Sequence, residues 1–163
     1  MKKLWMAVLL SCLLTPVYAD NRDQQNLDQY ELYQQMEAVQ VYTEDKINEI
    51  MNRKLDTLSP EQRRRLDTGQ LDKRVENEIE QSVQRQFIQS WAGYMGQCYE
   101  RNAARLCAYR DMYFHQLLEP GLRRLGHQLP PLHVRTRAWM RQNPRLWGQA
   151  VAEITAIVHE AGL

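Results

Sequence analysis

The stretch that decides the fold is residues 71–95, LDKRVENEIEQSVQRQFIQSWAGYM. Within it an apolar side chain returns at every fourth position: Leu71, Val75, Ile79, Val83, Phe87, Trp91 and Met95. Four residues turn an α-helix by about 400°, so these side chains form one slowly drifting stripe along a single long helix. The stripe predicts a helix that buries this face against crossing neighbours.

The flanking sequence has the same helical character. Apolar residues recur with helical spacing from Leu27 to Val39, and Thr43-Glu44-Asp45 has the composition of a new helix start. Ser59-Pro60-Glu61-Gln62 is a stronger start, because its residues fit a capping box with proline in the first turn. The sequence therefore predicts an all-α, single-domain bundle of about five to seven helices. Residues 20–68 are either part of that bundle or an N-terminal helical extension.

Several shorter signals predict where the helices end. Breaks are expected at Gly69, at the corner Arg101-Asn102, at Pro120-Gly121, and at the rigid connector Leu129-Pro130-Pro131. After the connector we expect a helix over residues 134–142. A last helix should then begin with the cap Asn143-Pro144, run to Ala161 and end before Gly162.

Residues 1–19 have the pattern of a secretory signal peptide. Two lysines precede the apolar run of residues 4–14, and Val17-Tyr18-Ala19 places small residues at the positions that signal peptidase requires. The run is shorter than the roughly 20 residues of a membrane-spanning helix. We therefore expect cleavage after Ala19, no membrane span, and export of residues 20–163 to a bacterial periplasm. The alternative is a lipoprotein anchored through Cys12.

Two cysteines, Cys98 and Cys107, remain after the signal peptide. In an oxidising compartment an isolated pair usually forms a disulfide. Nine residues of continuous helix would separate the two Cα atoms by about 13.5 Å, too far for a disulfide. A disulfide therefore requires the helix to break between them, and Arg101-Asn102 is the expected corner. A catalytic thiol is the weaker alternative, because the sequence has no Cys-x-x-Cys motif.

Charge is unevenly distributed along the chain. Residues 20–80 hold 15 acidic and 9 basic side chains, whereas residues 101–145 hold 9 arginines and only two acids, Asp111 and Glu119. The whole chain has a formal net charge of only +1, which gives no general bias toward nucleic acid. The arginines either bind an acidic partner through bidentate contacts or face the acidic half of the same fold.

No catalytic or metal-binding pattern is visible in the sequence. It lacks the motifs of serine hydrolases, zinc proteases and phosphate-binding loops. The four histidines do not have the spacing of metal ligands on a helix, although His127 and His133 flank the proline connector. We therefore predict a protein that is not an enzyme, with no catalytic residues, no metal site and no cofactor.

Two segments resemble known families of exported helical proteins. Residues 91–96, WAGYMG, followed by an aromatic helix end, Asn143-Pro144 and an alanine-containing amphipathic helix, resemble the immunity proteins that neutralise type VI secretion amidase effectors. The resemblance covers about residues 87–161 and transfers no individual contact residue. Residues 58–62, LSPEQ, are similar to the motif of small periplasmic chaperones of the Spy kind, which carry it twice.

These observations favour binding over catalysis. The best candidate surface for a protein partner combines Trp139 and Trp147 with Arg137, Arg141 and Arg145, because aromatic and arginine side chains dominate protein interfaces. The resemblance implies an immunity or inhibitor protein that acts against a secreted toxic effector. The alternatives are an accessory periplasmic component of a secretion or conjugation machine, and a periplasmic chaperone. A homodimer is left open.

Overall fold

The computed structural model describes residues 26–124 and 130–162, without the side chains of residues 118–124. In these ranges the chain forms six helices and no strand, which confirms the all-α prediction. The helices are α1 (Gln29–Asp56), α2 (Pro60–Asp67), α3 (Lys73–Arg101), α4 (Ala104–Arg124), α5 (Val134–Gln142) and α6 (Pro144–Glu160). The predicted signal peptide, Cys12 and His127 lie outside the described residues.

Local capping chemistry sets most of the helix ends. Asp28 accepts a hydrogen bond from the Glu31 amide at the start of α1. The capping box of α2 forms as predicted: Ser59 Oγ accepts from the Gln62 amide at 3.1 Å, and Gln62 Oε1 accepts from the Ser59 amide at 3.0 Å. Gly69, with φ of 71°, reverses the chain after α2. Short polar signals thus define the turn between the two longest helices.

Two local predictions are wrong, and a third holds only in part. Thr43 does not begin a helix: α1 continues through it, because its side chain lies on the buried face of that helix. Pro120-Gly121 does not end α4, which runs on to Arg124. Asn143 is the N-cap residue of α6 and Pro144 lies in its first turn, as predicted, but the Asn143 side chain does not cap the helix, because its Nδ2 donates backwards to the Trp139 carbonyl.

The core is built around α1, α3 and α4. Helix α3 returns antiparallel to α1, so that the Tyr42 hydroxyl donates to Ser90 Oγ at 3.0 Å. Helix α4 runs parallel to α1. Arg105 pairs with Glu31, and Arg110 Nε donates to Gln35 further along both helices. Helices α5 and α6 pack against α4. All but one of the residues in the predicted stripe are buried: Leu71, Ile79, Val83, Phe87, Trp91 and Met95.

The predicted disulfide joins Cys98 of α3 to Cys107 of α4. Helix α3 ends at Arg101 and α4 begins at Ala104, so the expected corner is confirmed and the two Cα atoms lie 5.8 Å apart. Both cysteines are buried, at 3% and 0% exposure. The bond therefore fixes the α3–α4 hairpin from inside the core.

Replacing Cys98 and Cys107 together by alanine is expected to lower the free energy of unfolding by about 2.5–3 kcal/mol. The chain-entropy model gives this value for so short a loop, because the bond restricts the unfolded chain. Chemical denaturation of the oxidised protein and the double variant measures the difference. Equal stability of the two proteins would contradict the expectation. Since the sulfurs are buried, the native protein should also resist mild reductants until it unfolds.

Within the described ranges no helix combines the length and hydrophobicity that a membrane span needs.

Candidate functional site

The centre of the candidate site is a buried carboxylate, Asp111, on the core face of α4. Its side chain is 1% exposed. Oδ1 accepts a hydrogen bond from Trp91 Nε1 at 3.1 Å, and Oδ2 accepts from the backbone amide of His133 at 2.9 Å. His115 Nε2 lies 3.7 Å from Oδ1, one turn further along α4. Asp111 therefore ties α3, α4 and the residue that precedes α5 to a single point.

A second buried contact holds α5 against the end of α3. The hydroxyls of Tyr99 and Thr136 share a hydrogen bond of 2.6 Å, and both side chains are buried. The ring of Tyr99 stacks on His133, and the Arg135 guanidinium lies 4.8 Å from its centroid. Arg135 Nη1 also donates to the Tyr99 carbonyl at 2.8 Å. Helix α5 is therefore positioned by four polar or aromatic contacts at its N-terminal end.

An aromatic cluster lies beneath this anchor. Trp91 stacks on Phe114 with ring centroids 3.8 Å apart, and Tyr42 stacks on Tyr94 at 3.9 Å. Arg110 Nη1 donates to the Tyr94 hydroxyl at 3.0 Å, and its guanidinium lies over the Tyr94 ring. These contacts hold α1, α3 and α4 together in the core.

The tryptophans of the predicted partner surface belong largely to the core. Trp139 is 7% exposed and meets Tyr109 edge-on, with ring centroids 5.6 Å apart. Trp147 is half-buried and packs against the core cluster. The indole rings therefore anchor α5 and α6, and the exposed part of the predicted set consists of its arginines.

Arg137, Arg141 and Arg145 are all exposed. Arg137 and Arg141 are four residues apart and thus share one side of α5. We call Arg137, Arg141 and Arg145 the arginine face. Among the described residues, these three guanidinium groups form no ion pair.

Other arginines of the same region do have internal partners. Arg105 pairs with Glu31, and Arg110 binds Gln35. Within the described residues, part of the arginine-rich region therefore pairs with the acidic N-terminal half, and the arginine face forms no ion pair with it.

Arg145, at the start of α6, is placed where it does not help its own helix, whereas Arg141 lies favourably in the last turn of α5. Neither α5 nor α6 has an acidic residue in its first turn, and Arg145 is the second residue of α6. A helix N-terminus carries a partial positive charge, so a cation there is unfavourable by about 0.3–1 kcal/mol. Arg145 therefore does not stabilise the N-terminus of α6.

Two glycines and a histidine of the sequence motifs have simple structural surroundings. A Cβ atom built on Gly93 or Gly96 would meet nothing within 4 Å apart from the helix's own backbone and chain neighbours, so no other part of the described chain approaches closely there. His133 stacks on Tyr99. In the described ranges no cluster of three or more histidine, cysteine or acidic side chains is arranged to hold a metal ion.

Burial of the core tyrosines predicts a specific alkaline transition. Burial raises the pKa of Tyr99 and of Tyr109 from 10.0 to about 12. Between these values the folded protein keeps protons that the unfolded chain has released. The free energy of unfolding should therefore be unaffected below pH 10 and fall above it, by up to about 1.4 kcal/mol per pH unit for each tyrosine.

Denaturant titrations at a series of pH values measure this slope, with Tyr109→Phe as the matched variant. That change keeps the ring against Trp139 and removes one of the two hydroxyls whose pKa is raised to about 12. The fall in stability above pH 10 should therefore become shallower. An unchanged slope would contradict the assignment.

In the comparisons with known proteins, no family model, curated protein or solved structure matches the chain. The resemblance to the amidase-effector immunity proteins and the likeness to the Spy-like chaperones thus stay predictions from the sequence.

Proposed function

We propose that this is an exported, periplasmic protein that acts by binding an acidic protein partner through its arginine face, without catalysis. The observation that carries the proposal is the contrast between buried anchors and exposed charges on α5. Tyr99, Asp111 and Trp139 fix the helix on its inner side, and Arg137 and Arg141 are exposed and form no ion pair with any described residue.

Arginine suits this role because of its geometry. A guanidinium group binds a carboxylate through two parallel hydrogen bonds and is weakly hydrated, so it contributes at interfaces more than lysine does. A rigid helix also loses little conformational entropy when it binds. The partner proposed on this basis presents several carboxylates at a spacing that matches one turn of helix.

Among binding proteins, we favour an immunity or inhibitor protein that occludes a secreted toxic effector. The sequence resemblance over about residues 87–161 supports this, and that range includes the arginine face and its anchors. The alternative, an accessory component of a secretion or conjugation machine, is favoured by the length of α1 and α3, which are 28 and 29 residues and offer long exposed surfaces for docking.

The proposal is tested by co-purification from the native envelope after mild crosslinking, followed by mass spectrometry. Wild type is compared with Arg137→Glu/Arg141→Glu/Arg145→Glu. The matched control carries the same charge change at exposed arginines of α1 and α3, in Arg53→Glu/Arg74→Glu/Arg85→Glu. A partner held by the arginine face should be lost only from the first variant, with affinity falling by about 30-fold or more for each arginine that is a hot spot.

The same triple variant separates binding from folding. The three arginines are exposed and form no ion pair with the residues that the structure describes, so the free energy of unfolding should change by no more than about 0.5 kcal/mol. Glutamate at position 145 favours the N-terminus of α6 and glutamate at position 141 opposes the C-terminus of α5, so these two dipole effects act in opposite directions. Thermal denaturation checks this. Equal capture of the partner by wild type and the triple variant, or a large loss of stability, would contradict the proposed role.

The identity of the partner distinguishes the functions. A single stoichiometric hydrolase or toxin supports inhibition, and deletion of this chain beside that active effector should then poison the cell. Membrane-embedded transport components support the accessory role, and deletion should then abolish transport without toxicity. Recovery of many unfolded clients without fixed stoichiometry would favour a chaperone instead.

A further inference from the structure

A second exposed stripe runs along α1, on the side opposite its core residues. It consists of Tyr30, Glu37, Val41, Glu44 and Asp45, and we call it the acidic stripe. The spacing places all five within one sector of the helix, facing away from the buried side chains of the same helix. Among the described residues its three carboxylates form no ion pair.

The large hydrophobic side chains that are exposed in the described chain lie on the acidic stripe or beside the arginine face. They are Val134 at 61% exposure, Tyr30 at 55% and Val41 at 53%. Tyr30 and Val41 belong to the acidic stripe, and Val134 lies on the same side of α5 as Arg137 and Arg141. Each surface therefore combines apolar contact area with charges of one sign, which suits a partner surface of the opposite charge.

The two surfaces are complementary to each other. On α1, Glu37 and Glu44 flank Val41 at four and three residues. On α5, Val134 is followed after three and seven residues by Arg137 and Arg141. Contact between them would pair carboxylates with guanidinium groups around an apolar centre. Within the described part of its own chain, neither surface has such a partner.

We infer that the acidic stripe of one copy docks on α5 and the arginine face of a second copy. If both copies use both surfaces, the contact occurs twice and closes a two-fold dimer, the commonest symmetry of soluble oligomers. Such a dimer covers the arginine face, so a second copy and the proposed acidic partner compete for it. The acidic partner must then displace the second copy before it can bind the arginine face.

A charge-swap experiment tests the dimer directly. One variant carries Glu37→Arg/Glu44→Arg, and the other carries Arg137→Glu/Arg141→Glu. In a dimer of either variant alone, both contacts bring like charges together. In a mixed dimer both contacts pair opposite charges: two unaltered surfaces meet at one contact, and the two altered surfaces meet at the other. The control is Asp67→Arg/Glu78→Arg, which changes the same number of charges at exposed positions on α2 and α3. Sedimentation equilibrium gives the masses of the chains without their signal peptide, and circular dichroism checks that each variant is folded.

Wild type and the control should form dimers that weaken as salt is raised, because the contact is electrostatic. Each charge-reversed variant should have a dimer dissociation constant at least about tenfold higher, and the mixture should recover the dimer. A monomeric wild type at all concentrations, reversals without effect, or a mixture that stays monomeric would each overturn the inference.

The same variants separate this inference from the proposed function, on which it rests in part. Glu37→Arg/Glu44→Arg leaves the arginine face intact, so it should capture more of the acidic partner than wild type does, because the competing copy is gone. If wild type is monomeric and the partner still depends on the arginine face, the dimer is wrong and the proposed function stands. If the dimer forms and no partner depends on the arginine face, the dimer stands and the proposed function is wrong.

Discussion

Replacing Asp111 by alanine is expected to lower the free energy of unfolding by about 3–5 kcal/mol. The change leaves the buried Trp91 Nε1 and the amide of His133 without their acceptor, and an unsatisfied buried donor costs about 1–3 kcal/mol. For a domain of this size the loss corresponds to a fall in Tm of roughly 10 °C. Denaturant and thermal unfolding measure both quantities.

The loss of stability caused by Asp111→Ala should be concentrated at α5. Because His133 precedes the first residue of that helix, loss of its hydrogen bond frees the N-terminal end of α5. Hydrogen exchange over residues 133–142 should therefore accelerate more than exchange over residues 79–98 of α3. Uniform acceleration of both segments would show that Asp111 stabilises the core without positioning α5.

Two further substitutions make this test specific. Asp111→Asn keeps one acceptor oxygen but turns an amide N–H₂ group toward the other donor, so its loss of stability should be smaller than that of Asp111→Ala. Asp45→Ala removes an exposed carboxylate of α1 and should change stability by no more than about 0.5 kcal/mol. Equal effects of Asp111→Ala and Asp45→Ala would contradict the role of the buried carboxylate.

Replacing Trp91 by alanine is expected to lower the free energy of unfolding by about 4–6 kcal/mol, at least as much as Asp111→Ala does. The indole is 2% exposed, stacks on Phe114, and has Tyr42 and Tyr94 as further ring neighbours. Truncation of a buried tryptophan costs about 3–5 kcal/mol through lost packing and the cavity it leaves. The loss of a hydrogen bond to Asp111 adds to that cost.

Trp91→Phe separates the two contributions. It keeps an aromatic ring against Phe114 and removes the donor to Asp111, so it should cost clearly less than Trp91→Ala. The double variant Trp91→Phe/Asp111→Ala should cost less than the two single changes added together, because they share one hydrogen bond. Strict additivity would show that this hydrogen bond contributes nothing measurable.

The features predicted well from the sequence depend on local chemistry. The capping box at Ser59 and the glycine turn at Gly69 form within a few residues, so the sequence pattern contains all the interacting groups. The corner between Arg101 and Ala104 follows from a simple distance limit on Cys98 and Cys107. The apolar stripe of α3 similarly predicts which of its faces is buried.

The wrong predictions concern residues whose environment is set by distant parts of the chain. A threonine before two acids looks like a helix start, but burial of Thr43 on the core face of α1 outweighs that preference. Local propensity alone does not decide between such alternatives.

Asp111 is the main feature of the site that sequence reasoning missed. In the sequence it stands out only as one of two acids among the arginines. The available signal is its position, because it lies between Tyr109 and Met112 on an otherwise apolar face of α4. A single carboxylate within such a face is costly to bury without partners, and therefore predicts them. The partners themselves, Trp91 and His133, lie 20 and 22 residues away on either side and could not be named from spacing.

The most direct test of the proposed function is site-specific photocrosslinking in intact cells. A photoreactive amino acid replaces Arg141 of the arginine face in one variant and Arg85, an exposed arginine of α3, in another. We expect a covalent adduct between position 141 and one other protein, and no such adduct from position 85. An arginine face that yields no adduct with another protein, or the same adducts from both positions, would contradict the proposed function.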